Sequence, residues 1–410
     1  MRKPTFVLLV LIMALAALPV MSPRADDKPP MGDWESCADP AALADTITIG
    51  AIFGLSGGTS VYGSVQKNGV ELAIAEVNAS GYLGKATLAA VFEDDAGNKD
   101  QAIAAMTKLV TETKVVGVLG PTLSSSAFAA DPIAQENKTP VLGVSNTASG
   151  ITEMGDYVFR NSLPEKAVIP GLITQVTTAL SLKKVGILYG NDDDFTKSGF
   201  QVFKAALEEN KVEILGEETF ARGDVDFTAQ LTKLLSANPD AIIVSALAQE
   251  AVPIILQARQ QLGYTGPIIG GNGFNSPAVL RDSGAAANGL IVGGAWNLGN
   301  PNHSDASLHF IEAYKAMFNA DPDQFAAQAY TGGWLMATAI RCANSADHTA
   351  VRDALAAIQE FDSPLGVFSF DENRDPLHPP IAQIVVDGKF AVLGAEESPM
   401  EATAEPTKSN

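Results

Sequence analysis

The chain has 410 residues, of which 46% are hydrophobic, 18% charged and 7% aromatic, and this ordinary globular composition excludes disordered, collagen-like and coiled-coil proteins. The formal net charge of -20 predicts no nucleic-acid partner and no peripheral membrane binding, because an acidic surface repels phosphate groups. Two cysteines and four histidines leave little material for a metal site, so we expect neither a metal nor another cofactor.

The first 25 residues have the pattern of a secretory signal peptide. Arg2 and Lys3 precede an apolar run from Phe6 to Leu18, and small residues up to Ala25 offer a cleavage site. The run is shorter than the roughly 20 apolar residues of a membrane-spanning helix, although an uncleaved anchor is an alternative. We therefore predict a signal peptide over 1–25 and export to the periplasm.

The two cysteines lie far apart in the mature chain. Cys37 follows Trp34-Glu35-Ser36 instead of the short apolar and small residues that precede a lipoprotein acylation site, so we do not expect a lipoprotein. In an oxidising compartment Cys37 and Cys342 could form one disulfide. The alternative is a pair of buried free thiols, and the sequence does not decide between the two.

From Asp45 onward, short Val- and Ile-rich runs alternate with amphipathic stretches, which predicts repeated βα units and a parallel, doubly wound sheet. Several runs are continuously apolar, as is typical of strands buried on both faces. The predicted strands are Ile47–Phe53, Thr87–Phe92, Val115–Leu119, Val141–Val144, Val185–Tyr189, Val212–Glu218, Ala241–Ser245, Pro267–Gly270 and Leu290–Gly293. The predicted helices are Val65–Asn78, Lys99–Thr113, Ser124–Glu136, Lys166–Leu180, Thr196–Glu209, Phe227–Ser236 and Gln249–Gln261.

These strands are more than one such sheet needs, and the stretch 160–165 separates two comparable series, so we predict an α/β protein with two Rossmann-like lobes. An N-terminal tail, 26–44, and a flexible C-terminal tail, 395–410, are rich in Pro or in Glu, Ser and Thr and are predicted to be loose. After Gly293 the pattern predicts helices His303–Phe318, Phe325–Ala343 and Thr349–Glu360, then strands Val367–Phe370, Ile381–Val386 and Phe390–Leu393.

The loop after the first strand, Gly54-Leu55-Ser56-Gly57-Gly58, formally matches the nucleophile elbow of α/β-hydrolases. An elbow needs its helix to begin at once, whereas the stretch from Thr59 to Gly63 intervenes before helical periodicity resumes. An exported serine hydrolase that uses Ser56 is therefore a minor alternative. The same loop lacks G-x-G-x-x-G, so a nicotinamide cofactor has no support.

Two polar turns directly follow neighbouring strands and stand at the start of the next segment of the chain. Ser124-Ser125-Ser126 begins a helix, where hydroxyls and free backbone amides meet the positive end of the helix dipole. Ser145-Asn146-Thr147 follows the next strand in the same way. Because the carboxyl ends of parallel strands lie at one edge of a sheet, the two turns favour an anion-binding site there. Simple N-capping by Ser and Thr is the alternative.

With these turns the chain resembles the periplasmic leucine/isoleucine/valine-binding proteins, a group of type I periplasmic binding proteins that deliver branched-chain amino acids, amides and related molecules to ABC importers. The resemblance runs from about Asp45 to Gly394 and depends on the joint order of motifs that are individually weak. These motifs are Ile49 to Gly57, Tyr62-Gly63, Glu93-Asp94-Asp95-Ala96, Gly120 to Ser126 and Asp226-Phe227-Thr228.

The resemblance implies two lobes joined by three crossovers that close on a ligand. Lobe 1 would comprise 45–164 and 296–366, and lobe 2 would comprise 165–295 and 367–394. The implied function is an exported, monomeric solute-binding protein, not an enzyme, that gives a small carboxylate or amino-acid-like ligand to ABC transporter permease subunits. A ligand-sensing module that serves a membrane receptor is the main alternative.

The resemblance also implies the binding residues. Ser124 and Thr147 match the family's Ser and Thr that hold the ligand carboxylate, and the backbone carbonyl of Ser145 matches the acceptor of the ligand ammonium. Phe195 stands where an aromatic residue, usually Tyr, lines the lobe 2 side. Tyr62 would shape the remainder of the pocket.

Two positions depart from the family pattern. Leu247 replaces a second Tyr, and Asn272 replaces the Glu that neutralises the α-ammonium. Because Asn offers only a dipole and a buried ammonium without a carboxylate is costly, the sequence predicts a preference for neutral-tailed acids, amides or hydroxy acids over leucine. This preference would not hold if Glu165 or Asp194 supplied the missing charge in the cleft.

Overall fold

The computed structural model describes residues 28–394, and the predicted signal peptide and C-terminal tail lie outside this range. Within it, no helix has both the length and the apolar composition that a membrane crossing requires. The first lobe contains β1 (Thr46–Phe53), α1 (Ser60–Ala79), β2 (Thr87–Asp94), α2 (Lys99–Thr107), β3 (Val118–Leu119), α3 (Ser124–Glu136), β4 (Val141–Gly143) and β5 (Val158–Arg160). Its sheet is parallel, with the strand order β2-β1-β3-β4-β5.

A second series of βα units builds the other lobe. It contains α4 (Glu165–Leu180), β6 (Lys184–Gly190), α5 (Asp194–Glu209), β7 (Glu213–Phe220), α6 (Thr228–Ser236), β8 (Ala241–Ser245), α7 (Ala248–Leu256), β9 (Ile268–Gly270), α8 (Pro277–Ser283) and β10 (Leu290–Gly294). These five strands run parallel to one another. Every residue of β8, β9 and β10 is buried, as the continuous runs in the sequence predict, whereas Phe220 is the single buried residue of the edge strand β7.

The last part of the chain divides between the lobes. Helices α9 (Asp305–Phe318), α10 (Gln324–Ala343) and α11 (His348–Ala356) pack on the first lobe. A small antiparallel sheet follows, with β11 (Phe361–Ser363), β12 (Gly366–Phe370) and β13 (Pro376–Leu377). Strands β14 (Ile381–Val386) and β15 (Lys389–Val392) then join the second sheet, which has the order β15-β14-β10-β9-β8-β6-β7. The chain thus crosses between two Rossmann-like lobes three times, at 161–164, 295–304 and 378–380, which confirms the predicted fold class.

The third crossing lies later than predicted. The sequence assigned 367–394 to lobe 2, but Phe368 and Phe370 belong to the core of the first lobe, where the ring centroid of Phe370 lies 5.4 Å from that of Phe159. Alternating apolar residues indicate that a strand is present but do not say which core receives its buried face. The chain therefore enters the second lobe only at β14.

Close contact between α1 and α10 positions part of the site. A side chain at Gly69 would overlap the backbone of α10 at Ala326. This close approach places the N-terminal turn of α10 against α1, and the rings of Tyr62 and Phe325 meet edge to face with centroids 4.7 Å apart. Both rings are buried.

Residues 28–44, predicted to be loose, are anchored to the first lobe. Met31 is buried in the core of that lobe, and Nε of Arg341 donates a hydrogen bond to the carbonyl of Cys37. Cys37 and Cys342 form a disulfide with their Cα atoms 4.9 Å apart. Composition does not reveal this anchoring, because it depends on a few specific contacts: one buried side chain, hydrogen bonds to the first lobe and one disulfide.

Replacing Cys37 and Cys342 by serine is expected to lower the free energy of unfolding by about 2–4 kcal/mol, because a bridge across a long chain segment reduces the entropy of the unfolded state. The two cysteines are 305 residues apart in the sequence. Urea denaturation of the oxidised wild type and of the double variant measures the difference. Ligand affinity should not change, since Cys342 lies about 25 Å along α10 from Phe325. Equal stability of the two proteins would contradict this prediction.

Candidate binding site between the lobes

A small cavity lies where the carboxyl ends of the two sheets face each other. Its volume is about 20 Å³, enough for one or two water molecules, since one water needs on the order of 10–15 Å³. Of the predicted residues, only Thr147 does not line it directly. The lining residues are Tyr62, Thr122, Leu123, Ser124, Ser145, Phe195, Leu247, Asn272, Gly273 and Phe325.

The first lobe contributes the N-terminus of α3 to the cavity wall. Leu123 occupies the N-cap position, and its side chain makes no capping hydrogen bond, so the first backbone amides of α3 are not capped by it. The hydroxyl oxygen of Ser124 accepts hydrogen bonds from the backbone amides of Thr147 and Ala148, at 3.1 and 3.2 Å. The hydroxyl hydrogen of Ser124 remains available as a donor. This end of the cavity is thus suited to an anion.

A buried glutamine connects the polar turns of the first lobe. The amide of Gln66 donates to the hydroxyl of Ser145 at 2.7 Å and accepts from the hydroxyl of Thr122 at 2.7 Å. The Ser145 hydroxyl in turn donates to the carbonyl of Thr122 at 2.6 Å. Gln66 and Thr122 were not among the predicted residues. The available signal was the position of Gln66 on α1, one turn after Tyr62 and therefore on the same helix face.

Tyr62 connects the two lobes across the cavity. Its hydroxyl donates to the carbonyl of Gly273 and accepts from the backbone amide of Ala248, both at 2.7 Å. Burial raises the pKa of Tyr62 well above its usual value, so the hydroxyl keeps its proton and can donate. Leu247 precedes Ala248 as the N-cap residue of α7 and places an apolar side chain at this end.

Polar contacts between the lobes also surround the cavity. The hydroxyl of Ser125 donates to the carboxylate of Asp193 at 2.8 Å, and Asp193 caps α5 by accepting from the amide of Phe195. Lys99 forms a salt bridge with Asp194 at 2.9 Å. These bonds hold the lobes in a closed arrangement. They also show that Asp194 already has a cationic partner at the rim.

Glu165, the first residue of the second lobe, lies behind Asn272 and contacts Thr147. Its Oε1 accepts from the backbone amide of Asn272 at 3.2 Å and lies 3.5 Å from the Thr147 hydroxyl. Burial raises the pKa of Glu165 to about 7, although both hydrogen bonds oppose the shift. The side chain of Asn272 lies 3.4 Å from the carbonyl of Ser145 and accepts from Gln324 at 2.6 Å.

Ser56, the candidate nucleophile of a hydrolase, is bonded elsewhere. Its backbone amide donates to the carboxylate of Asp94, and no hydrogen bond between Ser56 and a histidine occurs among residues 28–394. A short 3-10 turn, Gly57–Thr59, leads into α1 at Ser60, so helical structure begins earlier than the sequence predicted. The expected gap between Ser56 and its helix is therefore wrong.

Comparison with known proteins places this architecture in a family. A family model described as "Periplasmic binding protein" matches residues 46–389. The chain belongs to this family. The leucine-, isoleucine-, valine-, threonine- and alanine-binding protein of Pseudomonas aeruginosa is 28% identical to this periplasmic binding protein over 335 residues, which is 81% of this chain and 87% of that relative.

Solved structures agree with the family and the fold. The branched-chain amino acid transporter substrate-binding protein LivJ from Streptococcus pneumoniae, in complex with isoleucine, has a TM-score of 0.80 and 31% identity, covering 85% of this chain and 98% of that chain. The leucine-binding protein LivK from Thermotoga maritima has a TM-score of 0.79 and 27% identity, covering 84% and 97%. The periplasmic binding protein described here is thus a solute-binding protein with the type I fold, as the resemblance implies.

Proposed function

We propose that this periplasmic binding protein captures a small carboxylate with an apolar tail between its two lobes and delivers it, chemically unchanged, to the permease subunits of an ABC importer. The ligand class comprises branched-chain amino acids and related carboxylates. The names of two relatives support this class, since both include leucine, isoleucine and valine, and one also includes threonine and alanine.

The observation that carries the proposal is the division of the cavity wall into two chemically different ends. Ser124 and the first amides of α3 form an uncharged donor end, which suits a carboxylate. Tyr62, Phe195, Leu247 and Phe325 form an apolar end, and no charged side chain from residues 28–394 lines the cavity. A molecule with one carboxylate and an aliphatic tail satisfies both ends of the cavity.

Within this cavity we assign roles to the remaining polar residues. Ser124 and Thr147 hold the ligand carboxylate, and Thr147 can exchange its 3.5 Å contact with Glu165 for a ligand oxygen. The carbonyl of Ser145 and the side chain of Asn272 face the substituent on the neighbouring carbon of the ligand.

In the cell, the protein would be exported by the signal peptide 1–25, would carry no lipid anchor and would act as a monomer in the periplasm.

Binding is expected to require closure of the lobes. A cavity of about 20 Å³ is too small to admit an amino acid, so the lobes must first separate for the ligand to enter. The hydrogen bonds of Tyr62 across the cleft exist only when the lobes are closed. Titration calorimetry with leucine, isoleucine and valine should give a dissociation constant of about 1 μM or lower for at least one of them. Small-angle scattering should then show a smaller radius of gyration with that ligand than without it.

Glutamate is the matched control for this experiment, because its second carboxylate would enter a cavity without charged partners. It should neither bind tightly nor change the scattering. Tight binding of leucine with no change in the radius of gyration would overturn the closure mechanism. If no carboxylate with an apolar tail binds, the proposed ligand class is wrong.

A further inference from the structure

The second lobe contains a buried carboxylate that lies directly behind the cavity residue Asn272 and has no cationic partner among residues 28–394. Glu165 is 2% exposed, and the groups that contact its carboxylate are the amide of Asn272 and the hydroxyl of Thr147. Among residues 28–394 it forms no salt bridge, and burial, opposed by these two hydrogen bonds, raises its pKa. A buried carboxylate in this state is costly unless a cation or several donors compensate it.

The backbone of the second lobe approaches this carboxylate closely. A side chain at Gly271 would come within 3.0 Å of Oε2 of Glu165. Asn272, the next residue, contacts both Glu165, through its backbone amide, and the carbonyl of Ser145, through its side-chain amide. The carboxylate of Glu165 and the carbonyl of Ser145 are therefore acceptors on two sides of one residue of the cavity wall.

From this arrangement we infer that Glu165 supplies the counter-charge for the α-ammonium group of the ligand, so that the site selects α-amino acids over neutral carboxylates. The inference rests on the proposed function, since it assumes that a carboxylate ligand enters this cavity. An ammonium has three donors and no acceptor. The Glu165 carboxylate and the Ser145 carbonyl provide two acceptors, and the Asn272 side-chain oxygen, which already accepts from Gln324, provides a third through its second lone pair.

This reverses the preference predicted from Asn272 alone. Asp194, the other candidate for the missing charge, is paired with Lys99 at 2.9 Å and Lys197 at 3.2 Å, so a ligand ammonium would have to compete with two lysines there. Glu165 has no such competitor among the described residues. The neighbouring residue Lys166 is paired instead with Asp375 at 3.0 Å.

The protonation state of Glu165 also supports its role as the counter-charge. Since burial raises its pKa to about 7, the side chain is partly protonated at neutral pH, and a bound ammonium favours its ionised form. Another titratable group near Asn272 is Asp323, which precedes Gln324. It caps α10 through the amide of Ala326, and burial raises its pKa to about 7. A Glu165→Gln variant distinguishes the effect of Glu165 protonation from that of Asp323, because of these two residues only Glu165 contacts Asn272.

The test compares L-leucine with 2-hydroxy-4-methylpentanoate, which has the same carboxylate and tail but a neutral hydroxyl in place of the ammonium. By calorimetry, the wild type should bind leucine at least tenfold more tightly than the hydroxy acid. Glu165→Gln should weaken leucine binding at least tenfold and change hydroxy acid binding less than threefold. Leucine affinity of the wild type, but not of the variant, should fall as the pH drops below about 7.

Glu250→Gln is the matched control, since Glu250 is also a buried carboxylate of the second lobe but contacts the amide of Gly223 instead of the cavity wall. Its leucine affinity should remain within threefold of the wild type. Because Glu165→Gln removes a costly buried charge, the variant should melt no lower than the wild type at pH 8.

The possible results separate this inference from the proposed function. If the wild type binds the hydroxy acid as tightly as leucine, or if Glu165→Gln weakens both ligands equally, Glu165 is not the counter-charge, while capture of a carboxylate stands. If the wild type binds neither molecule, the ligand class and the role of Glu165 both fail.

Discussion

Alanine at both Ser124 and Thr147 is expected to weaken ligand binding at least tenfold. The Ser124 hydroxyl can donate to a ligand carboxylate, and a hydrogen bond to a charged group at a desolvated site is worth about 1.5–3 kcal/mol. Ser124 also accepts from the amides of Thr147 and Ala148, so its loss disturbs the turn that presents Thr147. Tenfold corresponds to about 1.4 kcal/mol, so one lost bond already reaches the expected effect.

The measurement is calorimetry with the ligand that the wild type binds most tightly. Ser126→Ala is the control, because Ser126 is buried in the same turn of α3 but does not line the cavity. It should retain affinity within threefold. The double variant should lose some stability, about 1–3 kcal/mol, since two buried amides lose an acceptor, and circular dichroism should show that it remains folded. If the double variant binds the ligand with wild-type affinity, Ser124 and Thr147 do not hold the ligand carboxylate.

The sequence predicted the alternation of strands and helices well where each element has its own local signal. Strand Ala241–Ser245 and helix Ser124–Glu136 have the bounds expected from a continuous apolar run and from a helix that begins with serines. Strand Val158–Arg160 was missed, because three residues are too few to show a period. Helix Pro277–Ser283 was missed for a similar reason, since it has only two turns.

Positions at the carboxyl ends of strands were predictable because the topology of parallel sheets fixes where those ends meet. Ser124, Ser145 and Asn272 all follow such strands and reach the same cavity. Phe325 was not predictable in this way, since it lies in the second half of the chain and reaches the cavity only because α10 packs against α1. Local sequence patterns could not predict that the Glu165 carboxylate has no cationic partner among the described residues, because this depends on its distance from every cation in the fold.

The hinge contains a buried ion pair whose loss should strongly destabilise the protein. Arg160, fully buried at the end of β5, donates to Oδ1 of Asp375 at 2.6 Å and to the carbonyl of Ala148 at 2.7 Å. Lys166 lies 3.0 Å from the other carboxylate oxygen. The pair thus connects the segment before the third crossing with β5, with α4 and with the loop that follows Thr147.

Asp375→Asn is expected to lower the free energy of unfolding by about 3–5 kcal/mol, because the buried guanidinium of Arg160 would lose its counter-charge. Burial alone would raise the pKa of Asp375, but the hydrogen bonds and charges of Arg160 and Lys166 outweigh it and lower the pKa. For an acid with a lowered pKa in the folded state, the stabilisation is complete above the unfolded pKa of about 4 and is lost as the pH falls below it. The stability of the wild type should therefore fall more steeply than that of Asp375→Asn below about pH 4.

Urea denaturation at pH 7 and thermal melting across the acidic range measure both effects. Asp156→Asn is the matched control: Asp156 pairs with Arg352, but its side chain is 52% exposed, and an exposed pair contributes about 0–1 kcal/mol. If Asp375→Asn lowers the free energy of unfolding no more than Asp156→Asn does, the buried pair does not hold the crossings together. A large loss for Asp375→Asn with a small one for Asp156→Asn would show that burial, and not the mere presence of a salt bridge, decides the contribution of each pair.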